Sequence, residues 1–233
     1  MMTNGAAMRH INATNRDWYR ISNKADAAPE LFIYGEIGWD GVTAEDLIRD
    51  LSEIDAKEIT VRINSPGGSV FGGIAIYNAL RTHPADVTVM VDSIAASIAS
   101  VIAQAGDTRQ MVQHSQMMIH EASGIAIGSG TELREYADLL DTQTDLIADI
   151  YAVRSGKPLS VFKALMTAET WFSADDAVSS GLADEVHTPE RKEPKDVVKE
   201  PQAVLEEEPP ADQEEEPAAP VDFTELLTSN PFH

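Results

Sequence analysis

Three short stretches of this chain carry residues that could do covalent chemistry together. The first is Asp92-Ser93-Ile94-Ala95-Ala96-Ser97-Ile98-Ala99-Ser100, which follows the β-rich run Val87-Thr88-Val89-Met90-Val91 and opens into small and apolar residues through Ala105. That is the grammar of a strand passing through a tight turn into a buried helix. A serine there would lie near a helix N-terminus, where unsatisfied N–H groups and the helix dipole favour negative charge. Those are the needs of a nucleophilic hydroxyl. The same residues also suit a plain Ser/Ala-rich helix start with Ser93 as N-cap. The second stretch, Asn64-Ser65-Pro66-Gly67-Gly68-Ser69, follows an apolar run and precedes a helix. Paired glycines let backbone come close to a ligand. Neither Gly-Lys-Ser/Thr nor Gly-x-Gly-x-x-Gly is present, so a nucleotide phosphate is not the expected guest. A carbonyl oxygen becoming an oxyanion is small enough.

The third stretch supplies a base. A serine hydroxyl needs one beside it, and the chain has six histidines. His10 lies in a polar arm, His83 at a helix end before Pro84, His114 in a polar turn, His187 at the start of a tail, and His233 is the last residue. His120 ends the apolar run Gln116-Met117-Met118-Ile119 ahead of a Gly-rich linker. Strand ends in α/β sheets are where sites form.

The elements that must position these groups alternate in type. Leu31–Ile37, Glu58–Ile63 and Val87–Val91 read as strands, and Thr108–Gln113, Gln116–Glu121 and Leu182–Val186 add to them. Thr43 with Asp46 three residues on marks a helix start, followed by Leu47, Leu51 and Ile54 at helical spacing. Val70–Leu80 is a helix after the glycine loop. A long helix spans about Thr131–Arg154, with Leu133, Tyr136, Leu140, Ile147, Ile150 and Tyr151 on one stripe that reads as core or as a subunit contact. Pro158 opens a short helix over Ser160–Met166. Ser173-Ala174-Asp175-Asp176 caps another that Gly181 stops. Strands alternating with helices predict an α/β domain over 29–187, long enough for a full core.

Flanking that domain, residues 1–28 read as a polar arm that becomes ordered near Trp18-Tyr19-Arg20-Ile21. Residues 188–233 hold 13 acidic and 4 basic residues among many prolines, and are expected to be a disordered acidic tail ending in a short apolar segment around Phe223, Leu226 and Leu227. The net charge of −22 offers no basic footprint for nucleic acid. No apolar run approaches the roughly 18 residues of a membrane helix, and Met1–Asp26 lacks the apolar centre of a signal peptide. With no cysteine, disulfides, thiolate metal sites and cysteine nucleophiles are excluded. A cytoplasmic protein without metal or cofactor is expected.

Taken together, Ile63-Asn64-Ser65-Pro66-Gly67-Gly68, Ala95-Ala96-Ser97-Ile98-Ala99 and Met118-Ile119-His120 resemble the oxyanion loop, nucleophile motif and general-base strand of the Clp protease proteolytic-subunit family. Ser173-Ala174-Asp175-Asp176-Ala177 and Gly181-Leu182-Ala183-Asp184 resemble its closing helix and strand. The resemblance implies a crotonase-like fold of repeated ββα units with a protruding handle helix. It implies Ser97 as nucleophile, His120 as general base and the N–H groups of Gly68 and Ile98 as oxyanion hole. It also implies a homo-oligomeric ring cleaving polypeptides, in some members with an ATP-driven unfoldase.

One position departs from the family pattern. The family's third triad member is an Asp, and ungapped alignment puts Leu165 there. Thr167 and Glu169 are the nearest polar residues, and Glu169, the only carboxylate of the two, is the expected third member. Asp141, Asp145 or a backbone carbonyl are the alternatives. The arm, the missing Asp and the acidic tail are more similar to the phage and prophage branch, which implies a head-maturation protease acting on capsid and scaffold proteins inside a prohead. A degradative subunit or a catalytically silent scaffold component are the competing expectations.

Overall fold

The structure, a computed structural model, describes residues 18–23, 27–38 and 41–189. The expectations for the first part of the arm and for the acidic tail lie outside them. At the centre are three parallel strands, β2 (Glu30–Tyr34), β3 (Glu58–Ser65) and β4 (Asp86–Ala96). Their sequences alternate, and β3 buries Ile59, Val61 and Ile63 on one face, as a strand with one side against the core should. Next to β4 come β5 (Thr108–Val112) and then β8 (Glu185–His187), both parallel. On the far edge β1 (Tyr19–Ser22) pairs antiparallel with β2. β1 falls within the stretch expected to be an arm. Trp18, only 3% exposed, explains its order: the indole Nε1 donates to Val42 O at 2.8 Å.

The sheet continues through β6 (Gln116–Ile119), which pairs parallel with the last residues of β4, and β7 (Thr170–Ser173), antiparallel to β6. β4 therefore has two neighbours in succession. Thr88–Val91 pair with β5, and Ile94–Ala96 pair with β6. The expected strand ended at Val91 in a tight turn, and the plainer alternative made Ser93 the helix N-cap. Instead the strand runs to Ala96, Ser93 is an exposed strand residue, and the helix N-cap is Ser97. Pairing with β3 and β6 overrides the weak strand preference of Ile-Ala-Ala.

Helices fill the crossovers. α1 (Ala44–Ser52) starts at a complete Thr43–Asp46 capping box and buries Leu47 and Leu51. α2 (Val70–Thr82) is capped by Ser69 and buries Ile76 and Leu80. His83 ends it, with Nδ1 accepting from the Ala85 N–H rather than capping a carbonyl. α3 (Ile98–Ala103) is buried along its whole length. α4 (Gly130–Ser155) begins one residue earlier than the spacing predicts, because Ser129 and Glu132 form a second capping box. Only its second half is anchored, through Ile147, Ala148 and Tyr151; Leu133, Leu139, Leu146 and Val153 are exposed, as are Ile125 and Ile127 before it. α5 (Leu159–Thr167) packs Phe162 against Tyr151, and α6 (Ala174–Ser180) has a third capping box, Ser173–Asp176. Buried Arg109 on β5 closes the domain, bonding the Asp184 carboxylate, Gln104 Oε1 and Gly181 O. No described helix is long and apolar enough to cross a membrane.

Candidate active site

Register brings the first two groups together. Ala96 pairs with Met118 across β4 and β6, and the Ser97 N–H donates to Met118 O at 2.9 Å. The chain then leaves β4 at Ser97 while β6 runs on through Ile119 to His120. Ser97 Oγ and His120 Nε2 lie 2.8 Å apart, both half-buried. With Nε2 as the acceptor, the ring proton sits on Nδ1. Ser97 has φ 53° and ψ −130°, a conformation that L residues with a side chain rarely adopt. Such local strain is characteristic of a nucleophile held on a sharp strand-to-helix turn.

The glycine loop wraps the same point. Ser65 Oγ donates to Gly35 O at 2.6 Å and accepts the Gly67 N–H, fixing the loop after β3. Gly67 has φ +107°, and a Cβ there would lie 2.7 Å from Ser97 Cβ and 2.9 Å from Ala96 O. At Gly68, φ +141°, a Cβ would meet Ile37 O at 2.3 Å. Only glycine lets the loop lie this close to Ser97 and to the bridge at Ile37. No turn, loop or cap hydrogen bond among the described residues uses the N–H of Gly68 or of Ile98. Both residues line a cleft of about 190 Å³ with Ser97 and His120. Its apolar wall includes Val70, Val101, Met118 and Ile147, and Glu121 lies on its polar side.

The expected third member is not brought to the imidazole. Continuing the β6–β7 register by one step would set Glu169 opposite His120, since Ile119 pairs with Thr170. The backbone leaves the ladder there. Glu169 takes φ +47°, its N–H closes on Met166 O, and its carboxylate accepts from Trp171 Nε1 at 3.4 Å. Asp145 pairs with Lys163 at 2.6 Å, and Thr167 Oγ1 bonds Glu121 Oε1 at 2.7 Å and Lys163 O. Among the described residues no carboxylate hydrogen-bonds His120 Nδ1; Asp141 is exposed on α4. A serine, a base and two free N–H groups around one cleft can attack a carbonyl and hold the resulting oxyanion. The residues missed at the sequence level are Ser100 and Tyr151. Ser100 bonds Ser97 O and meets the Tyr151 hydroxyl at 2.8 Å. Tyr151 stood in the α4 stripe, where nothing in the spacing separated it from ordinary core.

The chain as a whole is similar to known proteins. The family model described as Clp protease matches residues 13–190. The chain is 39% identical over 132 residues to the ATP-dependent Clp protease proteolytic subunit of Pleurastrum terricola, covering 56% of this chain and 67% of that protein. It is 33% identical over 175 residues to ATP-dependent Clp protease proteolytic subunit 1 of Gloeobacter violaceus, covering 72% and 88%. It is 35% identical over 168 residues to the ATP-dependent Clp protease proteolytic subunit of Ligilactobacillus salivarius, covering 70% and 84%.

Proposed function

This chain belongs to the Clp protease family and is a serine-type peptidase, and from that premise we propose a mechanism built on Ser97 and His120. Ser97 Oγ attacks the scissile carbonyl while His120 Nε2 takes its proton. The N–H groups of Gly68 and Ile98 receive the oxyanion. The C–N bond breaks as His120 returns the proton to the leaving amine, leaving an acyl ester on Ser97. Water, deprotonated by His120, releases the acid and restores the hydroxyl. The observation that carries this reading is the 2.8 Å Ser97–His120 contact facing two unengaged backbone donors. Within one chain the pair works as a dyad. The apolar wall of the cleft favours an apolar side chain before the cut bond.

The finer reading is a ring-forming, crotonase-like endopeptidase that matures phage proheads by cutting capsid and scaffold proteins. Its support is the acidic, proline-rich 188–233 stretch and a His120 Nδ1 that no carboxylate among the described residues bonds. A second reading, a degradative subunit fed by an ATP-driven unfoldase, is supported by the names of the relatives.

Intact mass spectrometry separates them. Wild type should gain one fluorophosphonate adduct, and Ser97→Ala should gain none and lose at least about 10⁴-fold in peptide hydrolysis. Cleavage of capsid protein without nucleotide supports the first reading; degradation of folded substrate only with ATP and an unfoldase supports the second. An unlabelled, inactive wild type would overturn the mechanism and favour a silent structural role.

A further inference from the structure

The Ser97–Ile98 peptide unit carries two functions on one plane. Its N–H is the Ile98 oxyanion donor of the proposed mechanism. Its carbonyl accepts from the Ser100 N–H at 2.9 Å and from Ser100 Oγ. Because a peptide is planar, whatever fixes the carbonyl also aims the N–H on its other side. Ser100 has one hydroxyl hydrogen, and it points at Ser97 O. The 2.8 Å contact between Ser100 Oγ and Tyr151 Oη is then a bond in which the tyrosine donates. Both residues are buried, at 0% and 1% exposure, so water does not compete. Burial pushes the Tyr151 hydroxyl well above its ordinary value. It therefore keeps its proton at any working pH.

We propose that Tyr151 and Ser100 are positioning residues that orient the Ser97–Ile98 peptide, and with it the oxyanion donor, from the anchored half of α4. This rests on the roles of Ser97 and Ile98 given above. Ser100 does not line the cleft; Tyr151 does, and its hydroxyl acts on the peptide through Ser100. A purely structural role would lower stability alone. A positioning role weakens the transition state more than the bound ground state.

The test measures Tyr151→Phe and Ser100→Ala in the full chain, with a fluorogenic tripeptide amide bearing a leucyl residue before the cut and a peptide boronate that mimics the tetrahedral oxyanion. Tyr151→Phe keeps the ring that packs on Phe162, at 5.7 Å between centroids, so the fold is retained. We expect kcat to fall about tenfold with KM within about twofold, and boronate affinity to fall by a similar factor. Ser100→Ala should lose at least as much, and the double variant no more than Ser100→Ala, because the two act in series. Retention of both kcat and boronate affinity within twofold in either variant, with only thermal stability lost, overturns the proposal. A wild type that neither hydrolyses the amide nor takes up fluorophosphonate instead overturns the peptidase mechanism.

Discussion

At the scale of single residues, the site depends on how little room surrounds Ser97. Gly67→Ala puts a methyl 2.7 Å from Ser97 Cβ at φ +107°; Ala96 O cannot retreat without leaving the β4–β6 register, nor Ser97 without losing its N–H bond to Met118 O. The expected outcome is a loss of about 1–3 kcal/mol in urea unfolding together with at least a tenfold fall in kcat. Much of this constellation was legible beforehand, for a physical reason. A hydroxyl on a sharp turn, an imidazole at a strand end and a glycine pair need special backbone, and special backbone shows in residue type. The orienting acid was not legible in the same way. Glu169 was one register step from His120, but whether the chain keeps its ladder at that step depends on a backbone torsion that no spacing records. Tyr151 and Ser100 were hidden because a tyrosine in the α4 stripe and a serine in the Ser/Ala-rich start of α3 both have the pattern of ordinary core.

Among the elements, the helix starts were the most readable parts. Thr43 with Asp46 and Ser173 with Asp176 are capping boxes in the sequence and in the structure, because the bond partners lie three residues apart. β4 was misread beyond Val91 because its last residues are held by neighbours distant in the chain. The segment that closes the sheet makes a separate prediction. Burial pushes the Asp184 carboxyl up, but the hydrogen bonds and charge of Arg109 outweigh it and leave Asp184 below its ordinary value. A carboxylate depressed by folding adds stability that is present above its unfolded value, near pH 4, and that disappears as pH falls through the folded value. In acid titrations of unfolding, Asp184→Asn should be the less stable chain at neutral pH, and the gap from wild type should close progressively below about pH 4. A gap that stays constant down to pH 2 would show that the ion pair adds no pH-dependent stability.

On the scale of the whole molecule, the described residues leave several apolar side chains uncovered before and along α4. Ile125 is 95% exposed and Ile127 fully exposed, and Leu133, Leu139 and Leu146 follow along α4. Exposed apolar surface of this kind marks a contact with another chain, and under the ring reading that chain is a second copy. Replacing Ile125 and Ile127 together by Asp should shift sedimentation from an assembly toward the monomer mass while circular dichroism stays unchanged. A wild type that already sediments as a monomer would remove the ring from the proposal. One further consequence lies in β4, whose partner changes from β5 to β6 across Asp92 and Ser93. Those two residues work as a fixed-length spacer between two halves of the chain. Losing or gaining one codon there would turn Ala95 outward and rotate Ser97 away from its histidine, since side chains alternate along a strand. Lineages of this protein should therefore drift freely in composition at the exposed position 93, yet never in length between 91 and 97.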